Sequence, residues 1–408
     1  MNRLFSHLLA EYLDLFPVVA IVGVRQAGKT TLATALKPDW KIFDLEKGDD
    51  MTLISSDPDL FLRLNPRRIV IDEAQLLPSL FPALRVAIDA NRHQRGRFVI
   101  TGSSSPELQS AIAESLAGRI GIIELSPLMW SEIHGHKISA LVHGISEGRT
   151  DPNYFTASSK PRAGLNEVLK YWFCGGYPEP WLNASGRFRE IWFSQYQQTY
   201  LQRDVARLYP GLDQMRFRQF LRLMGGLSGK IINYADIARA IQVSQPTAKD
   251  YLEIAHGTFI WRNVPAFSRN ATKRVVKHPR GHLRDSGLLH HLLRIPDIDA
   301  LLNHPQCGAS WQSMVTEEML RQFACLGTSA DAYHYRTGAG AEVDLVLEGN
   351  FGLIPFEMKF AQRIDARDLR PIRDFMREFN CPIGFVIHGG EEPRLLDEQL
   401  VGLPFHWL

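Results

Sequence analysis

The stretch Gly23-Val24-Arg25-Gln26-Ala27-Gly28-Lys29-Thr30 fits the phosphate-binding pattern G-x-x-x-x-G-K-[ST]. It follows an apolar run at 18–22, which predicts a buried strand, and precedes a helix-forming segment that opens with Thr31. In such a loop the glycines let backbone N–H groups face phosphate oxygens, Lys29 supplies charge, and Thr30 offers a hydroxyl to Mg²⁺. Residues 23–31 are therefore predicted to bind ATP with Mg²⁺.

Two adjacent carboxylates close a second apolar strand. Residues 69–71 lead directly into Asp72 and Glu73. Because the carboxyl ends of parallel strands meet at one edge of a sheet, these acids are expected beside the phosphate loop. Asp72 would hold the Mg²⁺ shell, usually through water, and Glu73 would polarise the attacking water. An isolated Asp-Glu pair is also typical of a helix N-cap, but the upstream loop favours the catalytic interpretation.

Further strands alternate with helical patterns after this loop. The candidates are 41–45, 69–71, 97–101 and 120–125. This alternation predicts a parallel sheet covered by helices. The third candidate leads into hydroxyl residues, among them Thr101 and Ser103, which either contact the γ-phosphate or form an ordinary turn. Arg119 ends the following helical pattern, where it either reaches a neighbouring subunit's nucleotide or stabilises the helix C-terminus at the surface.

Composition points to a globular protein of the cytoplasm. With 408 residues, 45% of them hydrophobic, about two or three domains are expected. The net charge is only +2, so a nucleic-acid surface would need local clustering of cations. The cysteines form no C-x-x-C pair, which favours a reducing compartment over a disulfide framework or a zinc site. They are Cys174, Cys307, Cys325 and Cys381. The start is a poor signal peptide, and no run approaches the ~18 apolar residues of a membrane span.

Changes in composition divide the chain into four expected regions. Residues 135–165 are rich in Gly, Ser, Pro and Asn, which indicates a boundary or a long insertion. The aromatic residues that follow, such as Trp172 and Tyr196, are more typical of core than of a binding surface. The expected regions are an ATPase core at 1–160, a helical region at 161–230, a winged helix-turn-helix at 231–295 and an α/β domain at 296–408.

The stretch 234–252 reads as a helix, a short turn, and a second helix that is capped by Ser244 and carries Lys249. A basic segment follows, in which a single acid, Asp285, accompanies many cations. These are Arg262, Arg269, Lys273, Arg274, Lys277, Arg280, Arg284 and Arg294. The excess predicts a wing facing DNA, with Lys249, Lys273, Arg274, Lys277 and Arg280 as contacts. A packing module with a solvated basic face is the alternative.

The last third of the chain contains two predicted strands, 341–347 and 353–359, with Asp344, Glu357 and Lys359 at the spacing D-x₁₂-E-x-K. Strand alternation places Glu357 and Lys359 on one face, so two carboxylates could hold a divalent metal while the ammonium activates a water. An inert sheet with a charged face remains the alternative, because these residue types are abundant.

Together these motifs resemble the bacterial and archaeal AAA+-type ATPases fused to a C-terminal domain of unknown function. The resemblance covers nearly the whole chain. It rests on the phosphate loop, 70–75, 101–104, 116–119, 124–128, 200–205, the helix-turn-helix stretch and 283–289.

The resemblance implies that Thr101 or Ser103 is the sensor residue and that Arg119 is an arginine finger in a homo-oligomer, a hexamer being the expected form. It also implies that the C-terminal domain resembles the PD-(D/E)xK nuclease fold, with Asp344, Glu357 and Lys359 at matching positions. Where that family usually carries a helical Glu, this chain has Gln312, although two further acids, Glu317 and Glu318, lie one to two turns later.

These observations predict an α/β AAA+ ATPase that uses ATP and Mg²⁺ to drive or gate the binding of DNA, branched or otherwise non-standard. Two alternatives remain open. One is an ATP-controlled, Mg²⁺-dependent nuclease, which Asp344-dependent DNA cleavage would reveal. The other is a nucleotide-switched interaction protein of a defence or toxin-type system that does not touch DNA.

Overall fold

The computed structural model describes residues 3–36, 38–103, 112, 114–158, 163–183, 185–200, 205, 209, 211–269, 278–338, 340–361 and 364–408. The chain forms two compact units. The first comprises Met1–Leu128 with Gly257–Phe259, and the second comprises Met129–His256 with Ile260–Leu408. Within the described ranges, no helix is long and apolar enough to cross a membrane.

The first unit is built on a parallel sheet in the order β2-β3-β4-β1-β5. Its strands are β1 (Val18–Gly23), β2 (Lys41–Asp44), β3 (Ile69–Asp72), β4 (Phe98–Ser103) and β5 (Ile120–Glu124). The described helices of this unit are α1 (Phe5–Leu15), α2 (Lys29–Thr34), α3 (Gly48–Ser56), α4 (Pro58–Leu64) and α5 (Leu80–Asp89). Every residue of β1 is buried, as expected for a central strand covered on both faces. The predicted sheet is confirmed.

Helices open the second unit. They are α6 (Trp130–Ile133), α7 (Ala140–Ser146), α8 (Pro152–Ser158), α9 (Leu165–Cys174), α10 (Pro178–Leu182), α11 (Gly186–Thr199) and α12 (Gln214–Leu227). Helices α6 to α8 belong to this unit, which begins at Met129, whereas the sequence prediction assigns residues up to 160 to the ATPase core. Trp130 and Phe155 are fully buried in its core, and the ring of Phe155 lies 4.9 Å from that of Phe385.

A helix-turn-helix follows at the predicted place. It consists of α13 (Tyr234–Ile241) and α14 (Gln245–Gly257). The hydroxyl of Ser244 accepts a hydrogen bond from the Thr247 backbone N–H at 3.2 Å, which confirms the predicted cap. Two antiparallel strands, β6 (Trp261–Val264) and β7 (Arg280–Leu283), complete this part.

A mixed sheet closes the chain in the order β12-β13-β11-β10-β9-β8. Its strands are β8 (Ala330–Arg336), β9 (Glu342–Gly349), β10 (Gly352–Lys359), β11 (Gly384–His388), β12 (Arg394–Leu395) and β13 (Leu400–Pro404). The accompanying helices are α15 (Ser286–Leu292), α16 (Ile298–Leu302), α17 (Cys307–Cys325) and α18 (Arg370–Phe379). Strands β9 and β10 are antiparallel neighbours, which brings the predicted carboxylate strands side by side.

Candidate functional site

The phosphate loop runs from the end of β1 to the start of α2 and depends on two glycines with positive φ. Gly23 has φ 148°, and a β-carbon there would lie 2.1 Å from the carbonyl oxygen of Leu125. Gly28 has φ 94° directly before α2. Lys29 is buried, and its Nζ donates to the carbonyl oxygens of Gly23 and Val24, both at 3.1 Å. The lysine is therefore held within the loop that it is predicted to serve.

The predicted catalytic groups meet at the carboxyl ends of β3 and β4. Thr30 Oγ1 donates to Asp72 Oδ2 at 2.8 Å, and Thr101 Oγ1 donates to the other carboxylate oxygen. The Glu73 backbone N–H donates to Thr101 Oγ1 at 3.3 Å. Strand β4 lies beside β3 in the sheet, which brings Thr101 to the Asp-Glu pair, and Thr30 connects that pair to the loop. Sequence reasoning missed Gln75, whose Nε2 donates to the Glu73 carboxylate.

These residues fit a nucleotide with Mg²⁺. A hydroxyl and a carboxylate stand in contact beside a glycine loop that carries a buried ammonium group. Mg²⁺ is commonly held by one or two protein oxygens, waters and phosphates, so it needs no larger cluster of acids. Over the described part of the chain, no group of three or more His, Cys, Asp or Glu side chains is arranged to hold a metal ion. The side chain of Ser103, the other predicted sensor, lies outside the described residues.

Two arginines form contacts at the loop: Arg3 lies outside the motif, and Arg25 lies within it. Arg3 is buried; its Nη1 donates to the carbonyl oxygen of Ala27, and its Nη2 donates to that of Ser126 at 2.8 Å. Arg25 pairs with Glu46, with 3.6 Å between Nη2 and Oε1. No pattern in the sequence indicates Arg3, because a single arginine near a helix start has no spacing to recognise.

Arg119, the predicted arginine finger, is paired within its own unit. Its Nε and Nη2 both lie 2.9 Å from carboxylate oxygens of Asp89, at the end of α5. This bidentate hydrogen bonding lowers the pKa of Asp89 and raises that of Arg119. The finger role in a neighbouring subunit stays a prediction, and it requires Arg119 to leave Asp89.

In the second unit, the structure brings Asp344, Glu357 and Lys359 together on β9 and β10. Lys359 Nζ lies 2.8 Å from Glu357 Oε1, which confirms that these side chains share a face. Glu357 is buried, and its Oε2 has no hydrogen-bond partner among the described residues. Burial, reinforced by the charge of Asp344, raises the pKa of Glu357 to about 8.

Asp344 already accepts hydrogen bonds at both carboxylate oxygens. Oδ1 accepts from Gln312 Nε2 and from Arg280 Nη1, the latter at 3.4 Å, and Oδ2 accepts from the Met358 backbone N–H at 2.9 Å. Arg280 Nη2 also donates to Glu342 at 2.7 Å. These donors occupy the positions that a divalent cation would need, so the residues do not fit an inner-sphere metal.

The prediction that Arg280 contacts DNA is wrong. The residue is 3% exposed, and its guanidinium faces the carboxylates of β9. Lys249 is exposed on α14, but Asp250 and Glu253 are exposed on the same helix. The remaining predicted contacts, Lys273, Arg274 and Lys277, lie outside the described residues.

The acids Glu317 and Glu318 contact arginines and a backbone N–H away from Asp344. Glu317 forms ion pairs with Arg262 and Arg284, each with one contact at 3.2 Å. Burial alone would raise the pKa of Glu317, but these two guanidinium groups lower it to about 2. Glu318 accepts a hydrogen bond from the Trp130 backbone N–H at 3.2 Å. Neither acid substitutes for the helical carboxylate that Gln312 replaces.

Comparison with known proteins gives three consecutive matches. Residues 15–134 match an AAA domain, residues 165–299 match a domain of unknown function (DUF8612), and residues 307–408 match another (DUF4143). Over 391 residues the chain is 32% identical to the uncharacterized protein Rv2008c of Mycobacterium tuberculosis, and equally to Mb2031c of Mycobacterium bovis. The matched region covers 95% of this chain and 80% of each relative. The chain belongs to the same family of AAA-domain proteins.

Solved structures are more distant from this member of the AAA-domain family. The Walker-type ATPase PABY2304 of Pyrococcus abyssi is 15% identical, with 71% of this chain and 94% of that chain covered and a TM-score of 0.40. The RuvB Holliday junction branch migration motor of Thermotoga maritima is 17% identical, with 67% and 94% covered and a TM-score of 0.28. TM-scores below 0.5 do not establish a common overall fold.

Proposed function

We propose that this AAA-domain protein binds ATP with Mg²⁺ in the phosphate loop and hydrolyses it, and that the nucleotide state controls what its second unit binds. One observation carries the proposal. Thr30, Asp72, Thr101 and the Glu73 backbone form a continuous hydrogen-bonded chain at one edge of the parallel sheet, next to the buried Lys29.

Each side chain has a defined task in this proposal. When bound, Mg²⁺ supplies charge neutralisation at the β- and γ-phosphate oxygens. Lys29 exchanges its two loop carbonyls for phosphate oxygens and contributes positive charge. The Thr30 hydroxyl and the Asp72 carboxylate would hold the Mg²⁺ ion, Asp72 usually through water. Glu73 orients the attacking water and accepts its proton, with its carboxylate steadied by Gln75.

The test separates ATP binding from hydrolysis. Lys29→Ala is expected to lose tight ATP binding, because the ammonium contacts phosphate before any reaction. Glu73→Gln is expected to bind ATP normally and to hydrolyse it on the order of 10²-fold more slowly, since it removes the base. Lys47→Ala, at an exposed lysine of the same unit, is the matched control. Equal ATP affinity of wild type and Lys29→Ala would refute the site.

For the partner of the second unit we propose DNA, held through phosphate contacts by cations of the basic segment, among them Lys273, Arg274 and Lys277. The triple reversal of Lys273, Arg274 and Lys277 to Glu should lower affinity for all sequences and flatten the salt dependence, while ATP hydrolysis without DNA persists. The triple reversal of Arg63, Arg67 and Arg85 to Glu, at exposed arginines of the first unit, controls for net charge. Unchanged affinity and salt slope in the triple variant would reject this surface.

A partner other than DNA is the second candidate. The internal pairing of Arg262, Arg280 and Arg284 favours it, because these cations contact carboxylates of the same unit. The exposed acids of α14 would also repel phosphates at a helix-turn-helix. Wild-type protein that fails to bind duplex, single-stranded or forked DNA with any nucleotide would support this candidate. The same titrations would show whether the affinity for DNA depends on the bound nucleotide.

A further inference from the structure

We propose that the Arg280 guanidinium takes the place of a divalent cation at the carboxylates of β9 and β10, so that this nuclease-like site binds no metal and does not cleave DNA. The inference concerns the second unit and is independent of the ATPase proposed above. It rests on the contacts of Arg280, Gln312 and Lys359 with three carboxylates.

Arg280 is buried between two carboxylates of β9. It is 3% exposed, its Nη2 lies 2.7 Å from Glu342, and its Nη1 lies 3.4 Å from Asp344. The guanidinium therefore bridges two carboxylates of one strand, as a shared cation does. A metal ion bound to Asp344 would face this fixed charge at short range, and the two cations would repel each other strongly.

Charge is balanced at these strands. The three carboxylates Glu342, Asp344 and Glu357 meet three cations. Arg280 contacts both Glu342 and Asp344, Arg336 Nε lies 3.0 Å from Glu342 Oε1, and Lys359 Nζ lies 2.8 Å from Glu357 Oε1. Each carboxylate thus contacts a cation of the chain itself. Buried carboxylates that are paired in this way do not require a metal for charge compensation.

Residue 312 is an amide and not a carboxylate. Gln312 Nε2 donates to Asp344 Oδ1, a contact that a carboxylate in its place could not make without a proton. A glutamate would instead add a negative charge beside Asp344 and would need a cation between them. The amide therefore suits a site without a metal, and it acts together with Arg280 on the same oxygen.

Arg280 is held in place by its strand. It begins β7, which pairs with β6, and two arginines on or next to this strand pair form ion pairs with α17. Arg262 on β6 and Arg284 after β7 both form ion pairs with Glu317. The basic segment that suggests a DNA surface thus works in part as a clamp. Its arginines fasten the hairpin to α17, and Arg280 points from it to the carboxylates.

The experiment measures Mn²⁺ binding to the full chain by electron paramagnetic resonance, with and without the Asp344→Asn change. The wild type and Asp344→Asn should bind the same number of Mn²⁺ ions, because Asp344 holds none. Arg280→Gln should gain a site that is lost again in Arg280→Gln/Asp344→Asn. Its affinity should exceed any wild-type binding there by at least about 100-fold, since the opposing charge is gone. Gln312→Glu added to Arg280→Gln should tighten it further.

Arg294→Gln, at an exposed arginine of the same basic segment, is the matched control and should gain no site. ATP hydrolysis by Arg280→Gln should match the wild type, which separates this test from that of the ATPase. A Mn²⁺ ion bound to the wild type and lost in Asp344→Asn would overturn the proposal. Mg²⁺-dependent cutting of plasmid DNA by the wild type that requires Asp344 would also overturn it. Neither comparison depends on the folding of an Arg280 variant.

Discussion

Replacing Arg3 with alanine is expected to weaken ATP binding while leaving the rate at saturating ATP nearly unchanged. Arg3 is 7% exposed and joins two segments that flank the nucleotide site, through the carbonyl oxygens of Ala27 in the loop and Ser126 after β5. Both acceptors are backbone carbonyl oxygens, one within the loop and one in the segment after β5. Its expected effect is therefore to keep the loop in its binding conformation.

The magnitude follows from these two hydrogen bonds. A hydrogen bond from a charged donor contributes about 1.5–3 kcal/mol. If about 2 kcal/mol of the preference for the closed loop is lost, the binding-competent fraction falls by up to ~30-fold, and apparent ATP affinity falls by the same factor. Arg3→Lys should lie between wild type and Arg3→Ala, because one ammonium replaces a planar group that reaches both oxygens.

Titration with a fluorescent ATP analogue gives the affinity, and steady-state hydrolysis gives kcat and KM. Arg63→Ala, at an exposed arginine of the same unit, controls for loss of charge. A wild-type KM for Arg3→Ala would refute the reasoning, as would a large fall in kcat with unchanged KM. Either outcome would show that Arg3 does not control the conformation of the loop.

Three further predictions concern the site and the stability of the chain. If Arg119 acts on a neighbouring subunit's nucleotide, Arg119→Ala should slow ATP hydrolysis by about 10³-fold. Asp89→Asn should not slow it, because that change only weakens the ion pair that holds the Arg119 guanidinium. Equal small effects of both variants in a hydrolysis assay would show that the pair is structural. Burial lowers the pKa of His282 to about 3 and of His290 to about 4. Because both values lie below the ~6.5 of an unfolded chain, the contribution of each histidine to the free energy of unfolding should be fully retained above that pH and should fall towards pH 4 by about 1.4 kcal/mol per unit. The raised pKa of Glu357 acts in the opposite direction over this range, so urea unfolding is compared between wild type and His282→Gln at pH 7.5 and pH 5; a difference in the free energy of unfolding between the two proteins that stays the same at both pH values would contradict this. Gly23→Ala should abolish ATP binding in the nucleotide titration, because its β-carbon would lie 2.1 Å from a carbonyl oxygen, while Gly48→Ala, with open space around it, should bind normally.

The nucleotide site was predictable because its parts are local. The loop, its glycines and the start of α2 are consecutive residues, and the Asp-Glu pair directly follows its own strand. Period and spacing along the chain are sufficient for such features. The contacts that complete the site were not predictable. Arg3 reaches Ser126 across 123 positions, and Thr101 reaches Asp72 only because β4 lies between β1 and β3.

The basic segment shows the opposite outcome. Along the chain its cations have almost no acidic neighbours, so counting charge favours an external polyanion. In the fold, Arg284 meets Glu317 from 33 positions away and Arg280 meets Asp344 from 64 positions away. Burial separates these charges from water, so each is compensated by its partner in the fold. No count of sequence neighbours can reveal such a pair.

The sequence by itself determined the phosphate loop, the alternation of strands and helices, and the shared face of Glu357 and Lys359. Each depends on backbone geometry over a few residues. The tertiary structure alone decided which charges meet. It placed Arg280 and Gln312 on Asp344, and it assigned Glu317 to the arginine clamp, because electrostatic pairing depends on distance in space and on exclusion of water.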